Sequence, residues 1–349
     1  ATGASPTYYD FDVFDEISIV TSGHDVESQV GGVNINLVTR RGGNRISLGG
    51  RFYLTDEKFQ NKLSQEEISK LGVMGYNRII EIKDFGFNIG GPFIKDRFWW
   101  WGSYGVQEIK TTMITGTRDD TFLNNLSAKI NFQLLPENRA EFFVHAGKKE
   151  KFGRSASTDF PPGWYQRGKY HFGSPIFKIQ DEHMFGNNLF LSFKYGFTDA
   201  GFGMSPMNDV ELKNMAYYNV EKVLWENSQW WFFSGRPHHY LQGQAVYYND
   251  NLLGASHEIK FGVEYDYRGQ DYVSGYPGNM YVDYSFNYPI VDWNGDGRVD
   301  IPKTDFGIDL KLLHLLNGTG GEYLSHGYAA YLSDTITYKR LTLKLGFRF

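Results

Sequence analysis

The chain of 349 residues contains no cysteine. A disulfide framework, a thiol nucleophile and a cysteine-ligated zinc or iron–sulfur centre are therefore excluded. An excess of basic residues is also missing, since 35 Lys and Arg stand against 40 Asp and Glu, for a net charge of −5. The strongly basic surface expected of a nucleic-acid-binding protein is absent, so we predict no nucleic-acid partner.

Long apolar runs are missing as well. No stretch approaches the roughly 18 consecutive apolar residues of a transmembrane helix. Glycine is abundant instead, with 40 residues, and aromatic residues make up 17% of the chain. Many glycines and aromatics with few apolar runs predict many short strands rather than a helical protein.

Apolar and polar residues alternate along most of the chain from Arg45 onward. The clearest segments are 126–134, 189–197, 259–267 and 341–349, and weaker ones lie at about 45–55, 83–94, 97–109, 138–149, 174–183, 228–235, 238–249 and 326–338. Roughly a dozen strands result, each near the 9–11 residues that cross a bilayer at a tilt. Their polar faces carry Lys, Glu and Arg, which a soluble β-sandwich rarely buries. The pattern favours an all-β fold, an antiparallel transmembrane β-barrel.

The connections between these strands are uneven in length. Short turns at 134–138 and 185–188 contrast with long connections, predicted to be extracellular, at about 56–82, 150–173, 200–226 and 269–325. We predict a small helix after Ser64, where Glu67 completes a capping box and Gly72 ends the helix, and a second apolar helix over 309–317. Aromatic clusters at 98–101, 230–233 and 247–248 predict a membrane girdle, with a ligand-stacking platform as the alternative.

The first 44 residues have a different pattern. They contain two short strands, at 16–21 and 33–39, followed by a Gly-rich link into the first long strand. We therefore divide the chain into an N-terminal unit, 1–44, and the strands with their long loops, 45–349.

Several segments resemble a known family, the TonB-dependent outer-membrane receptors, and within it the Oar-like subgroup. Residues 14–23 and 31–44 resemble the end of the plug domain, 88–104 the second and third barrel strands, 257–265 a mid-barrel strand, and 331–334 with 341–349 a later hairpin. The resemblance implies the C-terminal part of a plug followed by about half of a barrel of roughly 22 strands. The larger part of the plug and the TonB-contacting box do not appear, so we expect an incomplete chain.

The resemblance also implies a function and partners. The complete protein would sit among outer-membrane lipid, capture an unidentified nutrient at its extracellular loops, and admit it with energy from a TonB–ExbB–ExbD complex. A surface lipoprotein is a further implied partner. Two alternatives stay open: a complete barrel of roughly 12 strands acting as a hydrolase or passive channel, and a non-transporting surface or assembly protein.

One segment has the spacing of a metal site, because it matches the start of an EF-hand calcium loop. The candidate ligands are Asp292, Asn294, Asp296, the carbonyl of Arg298 and Asp300. The twelfth position is Lys303 rather than Glu, and Asp305 is a substitute for it. We predict a Ca²⁺ ion that orders the loop, against the alternative of a metal-free Asp/Asn/Gly loop.

Catalytic signals in the sequence are poor. It contains no G-x-S-x-G elbow, no H-E-x-x-H and no P-loop. His238 and His239 are adjacent on a predicted strand and so point to opposite faces, which disfavours a metal site. We predict that the chain is not an enzyme and has no catalytic residues.

Overall fold

The computed structural model of the protein describes residues 7–23, 25–28, 32–73, 75–157, 159–160, 163–207, 216–219, 224–226, 229–277, 280–285, 309–315 and 319–349. In the first half of the chain the strands are β1 (Phe14–Val20), β2 (Asn34–Thr39), β3 (Ser47–Asp56), β4 (Arg78–Ile94), β5 (Phe98–Thr112), β6 (Asp120–Phe132), β7 (Asn138–Arg154), β8 (Trp164–Gly168) and β9 (Ser174–Phe185). In the second half they are β10 (Leu189–Asp199), β11 (Phe202–Ser205), β12 (Ala216–Asn219), β13 (Leu224–Glu226), β14 (Trp231–Gly235), β15 (Pro237–Leu252), β16 (Ala255–Gly275), β17 (Met280–Ser285), β18 (Asp309–Leu315), β19 (Thr319–Tyr338) and β20 (Leu341–Arg348). The helix α1 spans Gln65–Lys70. Within the described ranges, no helix is long and apolar enough to cross a membrane.

Eleven long strands form one antiparallel wall in which each strand pairs with its neighbours along the chain. The order is β3-β4-β5-β6-β7-β9-β10-β15-β16-β19-β20. The hairpins close through short turns at one end of the wall, between β4 and β5, β6 and β7, β9 and β10, β15 and β16, and β19 and β20. The longer connections lie at the other end, as the sequence predicts.

Three neighbouring strands of the wall are interrupted at the same level. β9, β10 and β15 continue, past breaks at 169–173, 200–201 and 236, as the short strands β8, β11 and β14. Beyond the breaks, β8 pairs with β7 and β11, while β14 pairs with β11 and with the end of β16. The short strands β8, β11 and β14 therefore continue the sheet between β7 and β16.

The two faces of the wall differ sharply in polarity. One face is apolar and exposed, with Phe87, Leu126, Ile179, Phe193, Phe261 and Leu345 among its side chains. The inner face contacts the N-terminal segment, by which we mean the described residues up to 44. It buries polar and charged groups that include Ser127, Lys129, Asn131, Ser192, Glu264 and Asp266. This is the reverse of a soluble protein and is the alternation of outer-membrane strands.

The N-terminal segment contains a separate two-stranded sheet. β1 pairs antiparallel with β2, in a register that places Ile17 opposite Leu37. The division of the chain at residue 44 stays a prediction. The capping box of α1 is confirmed, with the Ser64 side chain accepting from the Glu67 amide, and Gly72 follows the helix with φ +66°.

The second predicted helix is wrong. Residues 309–315 of the predicted 309–317 form the strand β18, which pairs with β17 in a four-stranded sheet ordered β13-β12-β17-β18. Leucine has a high helix propensity, but pairing with β17 supplies backbone partners along one edge of β18, and this sheet context outweighs that preference.

The strands β16 and β19 also extend further than their predicted ends. Their pairing continues from Ser256 opposite Thr337 to Ser274 opposite Thr319, well into the predicted connection 269–325. These outer residues lack clean alternation, and it is the ladder of backbone hydrogen bonds that makes them strands.

Candidate functional site

The N-terminal segment docks on the inner face through a small apolar core. Val13 has 0% of its surface exposed and packs with Trp101 of β5 and Phe143 of β7, while Phe14 and Ile176 surround them. The amide of Arg40 donates to the carbonyl of Val13 at 2.8 Å, which ties the base of the β1–β2 hairpin to this core.

Arg51 is the charged centre of the docking. Its guanidinium lies 2.5 Å from the Oδ1 atom of Asp10 and 2.7 Å from that of Asp84, and it also pairs with Asp12. The Asp10 side chain is only 2% exposed. Gly105 makes room for it, because a Cβ atom there would lie 1.8 Å from the Asp10 Oδ2 atom. The wall is thus shaped to receive this carboxylate.

His145 of β7 contacts Tyr8 and Tyr9 of the N-terminal segment. Its Nε2 atom donates to the carbonyl of Tyr8 at 2.9 Å, so its Nδ1 atom accepts from the Ser127 hydroxyl, also at 2.9 Å. Burial raises the pKa of the neighbouring Tyr9 to about 12. Ser127 and His145 are both buried beneath the segment, and His145 links the Ser127 hydroxyl to the segment's backbone.

Residues 25–28 make a second docking contact, with the last strands of the wall, β16 and β20. Asp25 accepts from Lys344 at 2.8 Å and from Lys260 at 3.3 Å, and Glu27 also pairs with Lys260. The Arg348 guanidinium donates to the carbonyls of Val26 and Glu27. Burial acts to raise the pKa of Asp25, but hydrogen bonds from Lys344 and the Val26 amide, with the charge of Lys260, lower it below its ordinary value.

The Asp25 contact is expected to depend on pH. An acid whose pKa is lowered in the docked state stabilises docking fully above its ordinary pKa, and the effect is lost as the pH falls through the lowered value. We expect Asp25→Asn to reduce the free energy of unfolding in detergent at pH 7 by at most about 1 kcal/mol, because the pair of Asp25 with Lys344 is partly exposed. Thermal unfolding measures this loss as a lower midpoint temperature. The difference between the two proteins should shrink as the pH falls below about 4. A constant difference from pH 7 to pH 3 would contradict this assignment.

A cavity lies between the β1–β2 hairpin and the inner face of the wall. It has a volume of about 570 Å³, and β6, β7, β9 and β10 form its wall side. We call it the basic cavity, because its charged lining is Arg41, Lys129, Arg139, Lys178 and Lys194, with Asp15 and Glu141. Glu141 accepts from Lys129 and Lys178, each at 3.0 Å, and Lys129 also donates to Thr39 of the hairpin.

One carboxylate joins the three interrupted strands. Asp199 is 2% exposed and accepts from the Lys169 ammonium at 3.0 Å and the Tyr170 hydroxyl at 2.8 Å. It also accepts from the amides of Gly201 and Arg236, at 3.2 and 2.8 Å. Every break in the wall thus contributes a donor to the same side chain.

The predicted metal ligands lie outside the described residues. This applies to Asp292, Asn294, Asp296, Arg298 and Asp300, so calcium stays a prediction. Within the ranges that the structure covers, no group of three or more His, Asp or Glu residues is placed to hold a metal ion.

The adjacent histidines of β15 point to opposite faces. His238 lies 2.5 Å from Asp266, on the inner face, whereas His239 contacts the hydroxyl of Tyr195 at 2.9 Å. They do not form a common site.

The predicted aromatic clusters are divided by the same alternation. Phe98 stacks on Phe132 at 4.7 Å, whereas Trp101 is buried in the docking core. In the second cluster Trp230, just before β14, packs on Trp164, the first residue of β8. The girdle and the stacking platform both stay predictions.

Comparison with known proteins gives structural likenesses only. A scan against protein-family models finds no match, and neither does a search of the curated proteins. The fold is similar to that of the outer membrane transporter YddB from Escherichia coli, with a TM-score of 0.66 and 13% identity over 99% of this chain and 44% of that chain. The siderophore receptor PirA from Acinetobacter baumannii gives a TM-score of 0.60 and 13% identity, over 97% of this chain and 43% of that chain. For P. aeruginosa FpvA bound to pyoverdine the TM-score is 0.62 and the identity 12%, over 97% of this chain and 41% of that chain.

These likenesses show the fold. The chain has the antiparallel strand architecture of outer-membrane receptors and transporters, and the predicted fold class is confirmed. It spans less than half the length of the three solved structures. The Oar-like subgroup stays a prediction.

Proposed function

We propose that this chain is part of an outer-membrane receptor that takes up a nutrient ligand with energy from a TonB–ExbB–ExbD complex. The observation that carries the proposal is the reversed polarity of the wall, apolar and exposed on one face, polar and buried on the other. Lipid covers such an apolar face, while the buried polar face lines a passage. The likeness to outer-membrane transporters and receptors supports this reading.

The docking of the N-terminal segment suits a plug that moves. Apart from the core around Val13 and the ring contacts of Tyr8 and Tyr9, the contacts that its described residues make with the wall are mainly ion pairs and hydrogen bonds, centred on Arg51, His145 and Lys260. Water replaces such contacts when they separate, so the net cost of displacement is modest compared with that of breaking a large apolar core. An energy-coupled pull on the segment would therefore open the passage.

The membrane placement is tested by a charge on the apolar face. Phe193 is exposed on β10, and Phe193→Arg near the middle of a membrane-spanning strand is expected to cost about 2 to 4 kcal/mol of stability in lipid. Leu253→Arg is the matched control, since Leu253 is 95% exposed in the short β15–β16 turn. Unfolding in vesicles measures both variants. Equal effects of the two would contradict a lipid-facing wall.

Uptake separates the proposal from a passive channel and from a non-transporting protein. The complete protein is expressed in cells that lack their own iron-complex receptors, with and without TonB, and supplied with radiolabelled ferric citrate and ferric enterobactin. Accumulation only in cells with TonB supports the receptor. Accumulation in both strains indicates a passive channel, and surface binding without accumulation indicates a non-transporting protein.

A further inference from the structure

We propose that the basic cavity binds a small multivalent anion carrying carboxylate or phosphate groups. Five cationic side chains line it, against two carboxylates. The inference does not depend on transport, because it concerns only what this cavity holds.

Part of the charge in the basic cavity is already used. Glu141 lies between Lys129 and Lys178, with both ammonium groups at 3.0 Å from its oxygens. Lys129 is only 5% exposed and also donates to the Thr39 hydroxyl at 3.0 Å. Glu141, Lys129 and Lys178 thus pair with one another, and Lys129 also binds the hairpin, so their charges are already partnered.

The remaining cations have no partner of their own. The side chains of Arg41, Arg139 and Lys194 form no ion pair or hydrogen bond with any residue in the described part of the chain. They come from three elements: the link after β2, the start of β7, and β10. Asp15 is the one carboxylate besides Glu141 in the described lining, so the cavity keeps an excess of positive charge.

The geometry indicates the class of ligand. A volume of about 570 Å³ lies within the range of small-molecule sites, roughly 300 to 1,000 Å³. Guanidinium groups match carboxylate and phosphate oxygens in a bidentate manner, and an ammonium adds a point charge. A neutral or apolar ligand would leave these cations unpaired, whereas an anion with two or more charged groups would meet them from both sides.

Such an anion would join the N-terminal segment to the wall. Arg41 belongs to the segment, while Arg139 and Lys194 belong to the wall. Binding would therefore strengthen docking, and displacement of the segment would break the site and release the anion.

Titration calorimetry on the purified full chain in detergent, at low ionic strength, tests the inference with pyrophosphate and citrate. We expect binding by the unaltered protein, about 10-fold weaker binding for Arg139→Gln and for Lys194→Gln, and a larger loss for the double variant. Lys194→Arg should retain binding. The tighter of the two anions identifies the phosphate or the carboxylate class.

Lys339→Gln is the matched control, because Lys339 lies in the β19–β20 turn, outside the cavity. The absence of binding heat with both anions would overturn the inference. Undiminished binding by the double variant, or an equal loss in Lys339→Gln, would overturn it too. Thermal midpoints of all variants are compared so that a loss of binding is not confused with unfolding, and uptake is not needed for any of these readings.

Discussion

Replacing Arg51 with methionine is expected to lower the free energy of unfolding by about 3 to 5 kcal/mol, the usual cost of removing one partner from a buried ion pair. The substitution leaves three carboxylates, those of Asp10, Asp12 and Asp84, without their shared cation. Because Asp10 is nearly inaccessible, water cannot take over that role. Denaturant unfolding in detergent measures the loss, and proteolysis of the N-terminal segment should become faster.

Two further variants make the Arg51 result specific. Arg51→Lys keeps the charge but not the planar fork, so an intermediate loss is expected. Lys70→Met breaks an exposed pair with Glu66 on α1, and its effect should stay below about 0.5 kcal/mol. If Arg51→Met cost no more than Lys70→Met, the ion cluster would not be the centre of docking.

The second large effect is expected at Asp199. Asp199→Ala removes the acceptor of two side-chain donors and two amides. Leaving a buried donor without a partner costs about 1 to 3 kcal/mol; the Gly201 amide is buried, whereas the exposed Lys169 can turn to Asp271 or water, so a total of about 3 kcal/mol is expected after local relaxation. Hydrogen exchange of the Gly201 and Arg236 amides should become faster, because these two amides bond directly to the lost carboxylate.

Asp250→Ala is the control for this experiment. Asp250 is exposed on the same wall, in β15, and its removal should leave both exchange rates and stability unchanged within about 0.5 kcal/mol. The loss of stability in Asp199→Asn should lie between those of Asp199→Ala and Asp250→Ala, since an amide side chain keeps one acceptor oxygen. Unaltered protection of Gly201 and Arg236 in Asp199→Ala would show that the breaks are held in another way.

Local patterns in the sequence predicted the wall well. Alternation locates the long strands because each side chain of a wall strand meets either the apolar or the polar side. The capping box at Ser64 and Glu67 was likewise readable, since both partners lie within one turn. Where pairing rather than pattern makes the strand, as in β18 and the outer part of β16, the prediction failed or stopped short.

The docking site was not predictable in the same way. Asp10 and Arg51 belong to no motif, and Tyr8 meets His145 across 137 positions of the chain. Arg41, Arg139 and Lys194 likewise become one lining only when the hairpin lies on the wall. Alternation does mark Lys194 as a charge on the polar face, but it does not say which residues meet it there.

The pairing of sequence neighbours in the wall also determines the chain entropy that each contact costs. Each hairpin forms from strands joined by a short turn, so its closure costs little chain entropy. The N-terminal segment is different, because Asp25 meets Lys344, 319 positions later. The contact of Asp25 with Lys344 therefore closes a far longer loop than any hairpin of the wall, and it costs correspondingly more chain entropy.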